Sequence, residues 1–104
     1  MLAVVKEIGP EEFRGEIEKS PLPALVEFYA GWCPKCAMME DVVAQFAAEN
    51  AGAVRVYRVD ADQSKELMES YGLDRVPTFL SFREGKVTGA VAGVVRKKVL
   101  EGLF

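Results

Sequence analysis

The chain has 104 residues, half of them hydrophobic, which is enough for one globular domain with a single core. Its formal net charge is −3, so the composition offers no basic surface for nucleic acid or for an anionic membrane. No apolar run approaches the roughly 18 residues of a membrane span, and the absence of histidine excludes Cys-His and Ser-His catalytic sites. We therefore expect one domain over residues 1–104, with neither a nucleic-acid nor a membrane partner.

The first part of the chain predicts a strand, a short helix and a second strand. Residues 2–8 alternate weakly between polar and apolar types, as in a strand. Pro10 and the two carboxylates after it are typical of a helix start, and Phe13 and Ile17 lie on one face of that helix. Residues 24–30 are rich in strand formers and end at a glycine.

The only two cysteines, Cys33 and Cys36, follow this second strand directly. Their spacing suits either a disulfide or a metal ion, so spacing alone does not decide their role. Downstream, apolar residues recur at steps of three and four, which predicts an amphipathic helix with Met39, Val43 and Phe46 in the core. Because Pro suits the first helical position, the helix is expected to begin at Pro34, with Cys33 at its N-terminus.

The position at the helix N-terminus predicts different roles for the two sulfurs. Unpaired backbone N–H groups and the helix dipole stabilise an anion there, and Lys35 adds a cation, so Cys33 is expected to be a thiolate at neutral pH. Cys36 lies one turn further along and faces the apolar side, so it should keep its proton longer. We therefore predict Cys33 as an exposed attacking nucleophile and Cys36 as a sheltered resolving thiol.

The rest of the chain predicts a strand at 54–60, a helix capped by Asp62 or Ser64, a hairpin formed by 76–82 and 87–91, and a last helix. The last helix is expected to bury one face, formed by Val95, Val99, Leu100 and Leu103. Strands that alternate with helices predict an α/β fold, with a mainly parallel sheet covered on both faces and an antiparallel hairpin. Sites in such sheets gather at the carboxyl ends of strands, where Cys33 is placed.

Several stretches of the sequence match one known family jointly. They are Phe28–Cys36, Asp60–Gln63, Tyr71–Phe79, Phe82–Val87 and Gly93. On these stretches the chain resembles the thioredoxin family over essentially its whole length. The resemblance implies the thioredoxin fold, with a central four- or five-stranded mixed sheet flanked by four helices. It also implies a protein-disulfide reductase that acts on disulfide-containing proteins, is recharged by a thioredoxin-reductase-type electron donor and needs no cofactor or metal. We expect the protein to be a monomer.

The resemblance also assigns residues around the cysteines. It implies a Cys33–Cys36 disulfide in the oxidised state, with Pro77 in the cis form packed against it; the alternative is a trans Pro that opens an edge strand. A bend there would expose the backbone of Val76 to an extended partner chain. Because the turn should be exposed, Trp32 is expected to be a substrate-facing cover, the alternative being a core residue, and Tyr29 and Tyr71 are assigned to packing. The full expected substrate-binding set is Trp32, Pro34, Lys35, Val76, Pro77 and Gly93.

Glu27 lies in the middle of the apolar strand, where related proteins carry a buried acid. Burial raises the pKa of a carboxyl group, which suits a residue that takes the proton of Cys36 during the resolving attack. The alternative is that Glu27 points to solvent from an exposed strand face. Arg58 matches a position where the family often has a Lys near the acid. If Arg58 is close it lowers the pKa of Glu27, and otherwise it is a solvated strand residue.

The sequence departs from the family in the residues between the cysteines. Pro34 and Lys35 stand where thioredoxins usually have Gly and Pro, and a Pro-first pattern is nearer to glutaredoxins and some oxidising relatives. A more stabilised thiolate gives a weaker reductant, as the span from about −270 mV for thioredoxin to about −120 mV for DsbA shows. We predict a potential above that of typical thioredoxin. The alternative within the same class is a glutaredoxin-like or disulfide-isomerase-like enzyme.

Two other classes of function are considered. The cysteines can bind a metal ion or an iron-sulfur cluster shared by a dimer, although two thiolates fill only half of a tetrahedral site and no other soft ligand is evident. The domain can also be a catalytically idle binding module, which the intact cysteine pair disfavours. The start of the chain shows no cationic region followed by an apolar stretch, so a cytoplasmic location is expected. In that reducing compartment a lone cysteine pair is better explained as redox-active than as a structural staple.

Overall fold

The computed structural model describes residues 5–104, so residues 2–4 of the predicted first strand lie outside it. The described residues form one five-stranded sheet, with β1 at Lys6–Glu7, β2 at Ala24–Tyr29, β3 at Arg55–Asp60, β4 at Thr78–Arg83 and β5 at Lys86–Ala92. Four helices accompany it within the same range: α1 at Pro10–Phe13, α2 at Pro34–Glu49, α3 at Lys65–Ser70 and α4 at Lys97–Glu101. A π-helical turn at Arg14–Glu18 extends α1, and a 3₁₀ turn at Ala61–Gln63 precedes α3. The predicted fold class is confirmed.

The sheet is mixed, with strand order β1-β3-β2-β4-β5. The strand β2 runs parallel to β3, which brings Glu27 opposite Arg58, and antiparallel to β4 on its other side. The strands β4 and β5 form the predicted antiparallel hairpin. Its turn places Glu84 and Gly85 at φ values of 53° and 78°, the left-handed conformation that two-residue hairpin turns require.

The central strands β2 and β4 are buried on both faces, because α1 and α3 pack on one face of the sheet and α2 and α4 on the other. The side chains of β2 alternate between the two cores: Val26 and Phe28 join the α1 side, whereas Leu25 joins the α2 side. The predicted helix-core residues Met39, Val43 and Phe46 are all buried in the second core. The central strand is therefore covered on both faces even at its one charged position, Glu27.

The prediction for the last helix is partly wrong. Leu100 is completely buried, and Val95 and Leu103 pack against the second core, but Val99 is 40% exposed. The helix α4 has five residues, and neighbouring positions on a helix point about 100° apart. Val99 and Leu100 therefore do not both face the sheet. Within the described residues, no helix combines the length and the apolar composition that crossing a bilayer requires.

Candidate active site

The turn after β2 places Cys33 at the N-terminus of α2, as the sequence predicts. Cys33 has an extended backbone and occupies the N-cap, and Pro34 is the first helical residue. The backbone N–H of Cys36 donates a hydrogen bond to the Cys33 sulfur at 3.2 Å. This N–H is one of the groups at a helix start that have no partner within the helix. The sulfur of Cys33 therefore takes the place of a capping oxygen, where a negative charge is favoured.

The prediction of an exposed Cys33 is wrong in degree. Cys33 is only 7% exposed and Cys36 only 2%, so both are buried, and both are free thiols. The reason is tertiary: the loop before β4 lies over the turn, with the carbonyl oxygen of Val76 3.9 Å from the Cys33 sulfur. Ala30 and Val76 pack around the pair. Only a small opening therefore leaves the Cys33 side chain accessible, and Cys36 is less accessible still.

Burial disfavours deprotonation of the Cys36 thiol. The pKa of Cys36 is raised to about 12, chiefly by loss of solvation, and further by its hydrogen bond with Cys33 and the charges of Cys33 and Glu27. A thiol with this pKa is almost fully protonated at neutral pH. Because only the thiolate attacks a disulfide, Cys36 needs a nearby group that accepts its proton.

Glu27 is buried, with 1% of its surface exposed, which agrees with the first of the two alternatives for this residue. Neither carboxylate oxygen has a hydrogen-bond partner. The Nε of Arg58 lies 3.4 Å from Oε1, close enough for charge attraction but without hydrogen-bond geometry. Burial raises the pKa of Glu27 to about 7; Arg58 opposes this effect, and the charge of Glu40 adds to it. Glu27 is thus partly ionised at neutral pH and is able to accept a proton.

Arg58 does meet Glu27, and a second contact holds it there. Its guanidinium carbon lies 3.8 Å from the centre of the Tyr29 ring, a cation–π distance. The hydroxyl of Tyr29 donates to the carboxylate of Glu7, and burial, followed by this bond, raises the pKa of Tyr29 to about 12. The sequence assigned Tyr29 to packing and missed its contacts with Arg58 and Glu7. The missing information was strand register, since Glu7 and Glu27 both lie opposite Arg58.

An open groove of about 420 Å³ lies against Glu27. Arg58 forms part of its wall from the sheet, and Glu40 and Asp41 contribute from α2. The sequence analysis did not single out Glu40, whose charge acts on Glu27. Because the groove is open, it offers a route by which a proton on Glu27 can exchange with solvent.

Trp32, next to Cys33 in the turn, is largely exposed; that it faces a substrate stays a prediction. It is 69% exposed, and its indole Nε1–H donates to Asp62 Oδ2 at 2.8 Å. Asp62, which the sequence offered as a helix cap, instead lies in the 3₁₀ turn and holds Trp32, while Ser64 occupies the N-cap of α3. A large aromatic surface is therefore held in place next to the opening to Cys33.

The loop before β4 completes the site. The Val76–Pro77 peptide bond is cis and Pro77 is buried, as the resemblance implied. Gly93, with φ of 88°, donates its N–H to the Pro77 carbonyl at 2.9 Å. Val76, Gly93 and Lys35 together line a groove beside the cysteines. The structure thus brings the predicted residues of the loops and of α2 together at one edge of the sheet, with Glu27 beneath them.

Comparison with known proteins agrees with this geometry. The sequence model of a protein family described as thioredoxin matches residues 4–103. The chain belongs to the thioredoxin family. This membership confirms the resemblance that the cysteine turn and the Val76–Pro77 loop indicated, and with it the thioredoxin fold.

Members of the family differ in length around the matched domain. The chain is 31% identical over 99 residues to "Thioredoxin 1" of Synechococcus elongatus, covering 95% of this chain and 92% of that protein. It is 38% identical over 80 residues to "Thioredoxin M3, chloroplastic" of Oryza sativa, covering 77% of this chain and 46% of that protein. It is 33% identical over 97 residues to "Thioredoxin M4, chloroplastic" of Arabidopsis thaliana, covering 93% and 50%. The chain spans about half the length of the two chloroplastic relatives.

The described residues offer few ligands for the metal site that was considered as an alternative. Among residues 5–104, no group of three or more His, Cys, Asp or Glu side chains is placed to hold a metal ion. A structural zinc site needs four such ligands. Within the described part of the chain, Cys33 and Cys36 therefore have no further side chains in place to complete a tetrahedral zinc site.

Proposed function

We propose that this thioredoxin-family protein is a thiol-disulfide oxidoreductase that reduces disulfides in other proteins. The observation that carries the proposal is the unequal environment of the two sulfurs. Cys33 accepts a hydrogen bond at a helix N-terminus, whereas Cys36 is buried with its pKa raised to about 12, chiefly by burial. One sulfur is thus prepared to attack a disulfide, and the other is held in reserve for the second exchange.

In the first step the Cys33 thiolate attacks one sulfur of the substrate disulfide. A bond forms between that sulfur and Cys33, the substrate S–S bond breaks, and the departing sulfur takes the electron pair and then a proton. The attacking sulfur lies at the N-terminus of α2, where the backbone N–H of Cys36 donates to it. The product is a mixed disulfide between substrate and enzyme.

In the second step Cys36 releases the substrate. Glu27 accepts the proton of Cys36, whose sulfur attacks Cys33; the Cys33–substrate bond breaks, and the substrate leaves as a thiol. The enzyme is left with a Cys33–Cys36 disulfide. The pKa of Cys36 is far above that of Glu27, so very little Cys36 thiolate forms before the attack. The proton therefore moves to Glu27 as the new S–S bond forms, because bond formation removes the negative charge from the Cys36 sulfur.

The substrate is proposed to lie across the opening to Cys33. Because β4 begins at Thr78, Val76 precedes its ladder, and we place an extended substrate segment against this backbone. We further propose that Trp32, which is largely exposed next to Cys33, contacts the substrate. The remaining members of the proposed contact surface are Pro34, Lys35, Pro77 and Gly93.

The proposal is tested by trapping the mixed disulfide. Cys36→Ser, incubated with insulin, is expected to accumulate a covalent adduct on Cys33 that a small thiol reverses, because no second sulfur is present to release the substrate. Cys33→Ser is the matched control and should give no adduct. If Cys36→Ser forms no adduct, or if both variants form it equally, the assigned mechanism is wrong.

A glutaredoxin-like or isomerase-like enzyme is the second candidate, because Pro34 directly follows Cys33. Measured rates with insulin and with a glutathione mixed disulfide distinguish the two, since a glutaredoxin-like enzyme reduces the glutathione substrate faster. Equilibration with glutathione buffers measures the potential. We predict a value above the roughly −270 mV of typical thioredoxin, because a stabilised thiolate favours the reduced enzyme.

We further propose a thioredoxin-reductase-type electron donor, a monomeric state and a cytoplasmic location. A donor is required because each turnover leaves the cysteines oxidised. A cytoplasmic location is supported because a redox-active cysteine pair stays reduced in a reducing compartment. Two of the relatives, however, are named as chloroplastic proteins. Coupled reduction with a purified reductase, sedimentation and cell fractionation test the three points in turn. Stoichiometric zinc or a coloured cluster in the purified protein would instead favour the metal-binding alternative.

A further inference from the structure

A groove with charged walls adjoins the attacking sulfur. It has a volume of about 380 Å³, and its lining residues come from α2, the loop before β4 and the end of β5: Lys35, Asp74, Arg75, Val76, Ala92 and Gly93. The carbonyl oxygen of Val76 lies 3.9 Å from the Cys33 sulfur, so a chain bound to Cys33 runs directly past this groove. The residues next to a substrate cysteine therefore meet the charges in its wall.

The charges of the groove do not cancel. Arg75 pairs with Asp74, with Nε and Oδ1 3.0 Å apart, so these two neutralise each other locally. Lys35 also lines the groove, and among the residues the structure describes no carboxylate lies within 4.0 Å of its amino group. The groove thus carries one uncompensated positive charge.

The net charge of the whole chain acts in the opposite direction but more weakly. At −3, the protein as a whole repels acidic partners. At physiological ionic strength the Debye length is about 8 Å, so charges spread over the distant surface are largely screened. A residue adjoining the substrate cysteine is instead within reach of Lys35. The local positive charge therefore decides the preference.

We propose that this groove selects substrates in which an acidic residue adjoins the reactive cysteine, with its carboxylate seated against Lys35. The inference rests on the proposed reductase function and names the substrate class of the same site. Lys35 is a specificity-determining residue, which contacts the substrate beside the reacting sulfurs. The chemical step is unchanged: Cys33 forms a bond to the substrate sulfur, and the leaving sulfur takes the electron pair.

The experiment uses short synthetic peptides whose cysteine is activated as a 2-thiopyridyl disulfide. Each peptide carries Glu, Gln or Lys either before or after the cysteine, and the ends are blocked to remove their charges. Attack on the peptide sulfur releases pyridine-2-thione, a good leaving group that is followed by absorbance. The readout is the ratio of rate constants for the Glu and Lys peptides within one variant, because this ratio cancels any change in the reactivity of Cys33 itself.

For the natural sequence we expect the Glu peptide to react about fivefold faster than the Lys peptide in at least one of the two positions, the size expected of an exposed ion pair. Lys35→Gln should bring the ratio towards one, and Lys35→Glu should reverse it. Glutamate is well tolerated near a helix N-terminus, so the variant is expected to fold. Lys19→Glu, before the opposite end of β2, makes the same change in net charge and should leave the ratio unaltered.

The dependence on salt distinguishes a peptide preference that arises from local charge from one that arises from the shape of the groove. Raising the ionic strength from about 0.01 M to about 1 M reduces the Debye length from roughly 30 Å to 3 Å, so the preference should shrink. Equal rates for all peptides would overturn the inference. A ratio that Lys35→Glu leaves unchanged while Lys19→Glu shifts it would do the same. Either result leaves the reductase function intact. Absence of pyridine-2-thione release from every peptide would instead contradict the proposed function.

Discussion

The buried carboxyl group of Glu27 should make the stability of the protein fall between mildly acidic and neutral pH. The pKa of Glu27 is raised from 4.5 to about 7, chiefly by burial. Below pH 4.5 the carboxyl is protonated in both the folded and the unfolded chain, so it adds no pH dependence. Between pH 4.5 and 7 the folded chain binds more protons, and its stability falls as the pH rises. Above pH 7 the free energy of unfolding stays lower by the full amount that Glu27 contributes.

The size of this cost follows from the two pKa values. The interval from 4.5 to about 7, at roughly 1.4 kcal/mol per pH unit, corresponds to about 3 kcal/mol. Glu27→Gln has a similar shape and no charge, so it should avoid the loss. Its free energy of unfolding, relative to the natural sequence, is expected to rise by about 3 kcal/mol between pH 4.5 and pH 8. Taking the difference between the two proteins removes the contribution of all other titrating groups.

The measurement is urea unfolding of both proteins in the reduced state at several pH values. Arg58→Gln provides a control, because removing the charge 3.4 Å from Glu27 should raise the pKa of Glu27 further, so that the loss of stability still begins near pH 4.5 but continues to higher pH. A stability difference between Glu27→Gln and the natural sequence that stays constant over this range would refute the reasoning. It would show that Glu27 titrates in the folded protein as it does in the unfolded chain.

Three further predictions concern the supports of the site. Phe46→Ala should lower the free energy of unfolding by about 3–5 kcal/mol in urea titrations, because Phe46 is 1% exposed, whereas Met38→Ala, 64% exposed on the same helix, should change it little. Gly93→Ala should cost about 1–2 kcal/mol in thermal unfolding, because Gly93 has a positive φ; equal stability would contradict this. Asp62→Asn should increase the mobility of Trp32, seen as lower fluorescence anisotropy, because the indole then loses a charged acceptor.

The charge arrangement around Glu27 also explains why the acid is tolerated in the core. A fully buried carboxylate without a partner is strongly unfavourable, whereas one tightly paired with Arg remains ionised and accepts protons poorly. The structure lies between these limits: Arg58 is near, yet neither oxygen of Glu27 is hydrogen-bonded. The stacking of Arg58 on Tyr29 keeps the cation near the acid. The result is a pKa of about 7 for Glu27, raised by burial, close to the pH at which a proton acceptor is most useful.

The sequence determined the order of the elements and the position of the reactive pair, because these depend on short-range rules. A run of strand formers ended by a glycine marked β2, apolar residues at steps of three and four marked α2, and Pro34 placed the start of that helix next to Cys33. Such rules involve neighbours along the chain. The same local reasoning failed for Val99, since Val99 and Leu100 are neighbours that point about 100° apart on the last helix, and only Leu100 faces the core.

Tertiary structure alone decided how much solvent reaches the sulfurs and which charges act on the acid. Cys33 is buried because a loop more than 40 residues away in the sequence folds over it and brings the Val76 carbonyl to within 3.9 Å. Arg58 meets Glu27 because β2 and β3 pair in one particular register, and a shift of one residue would turn the side chains to opposite faces. Burial and electrostatic interaction depend on distances in space, and spacing along the chain does not specify them.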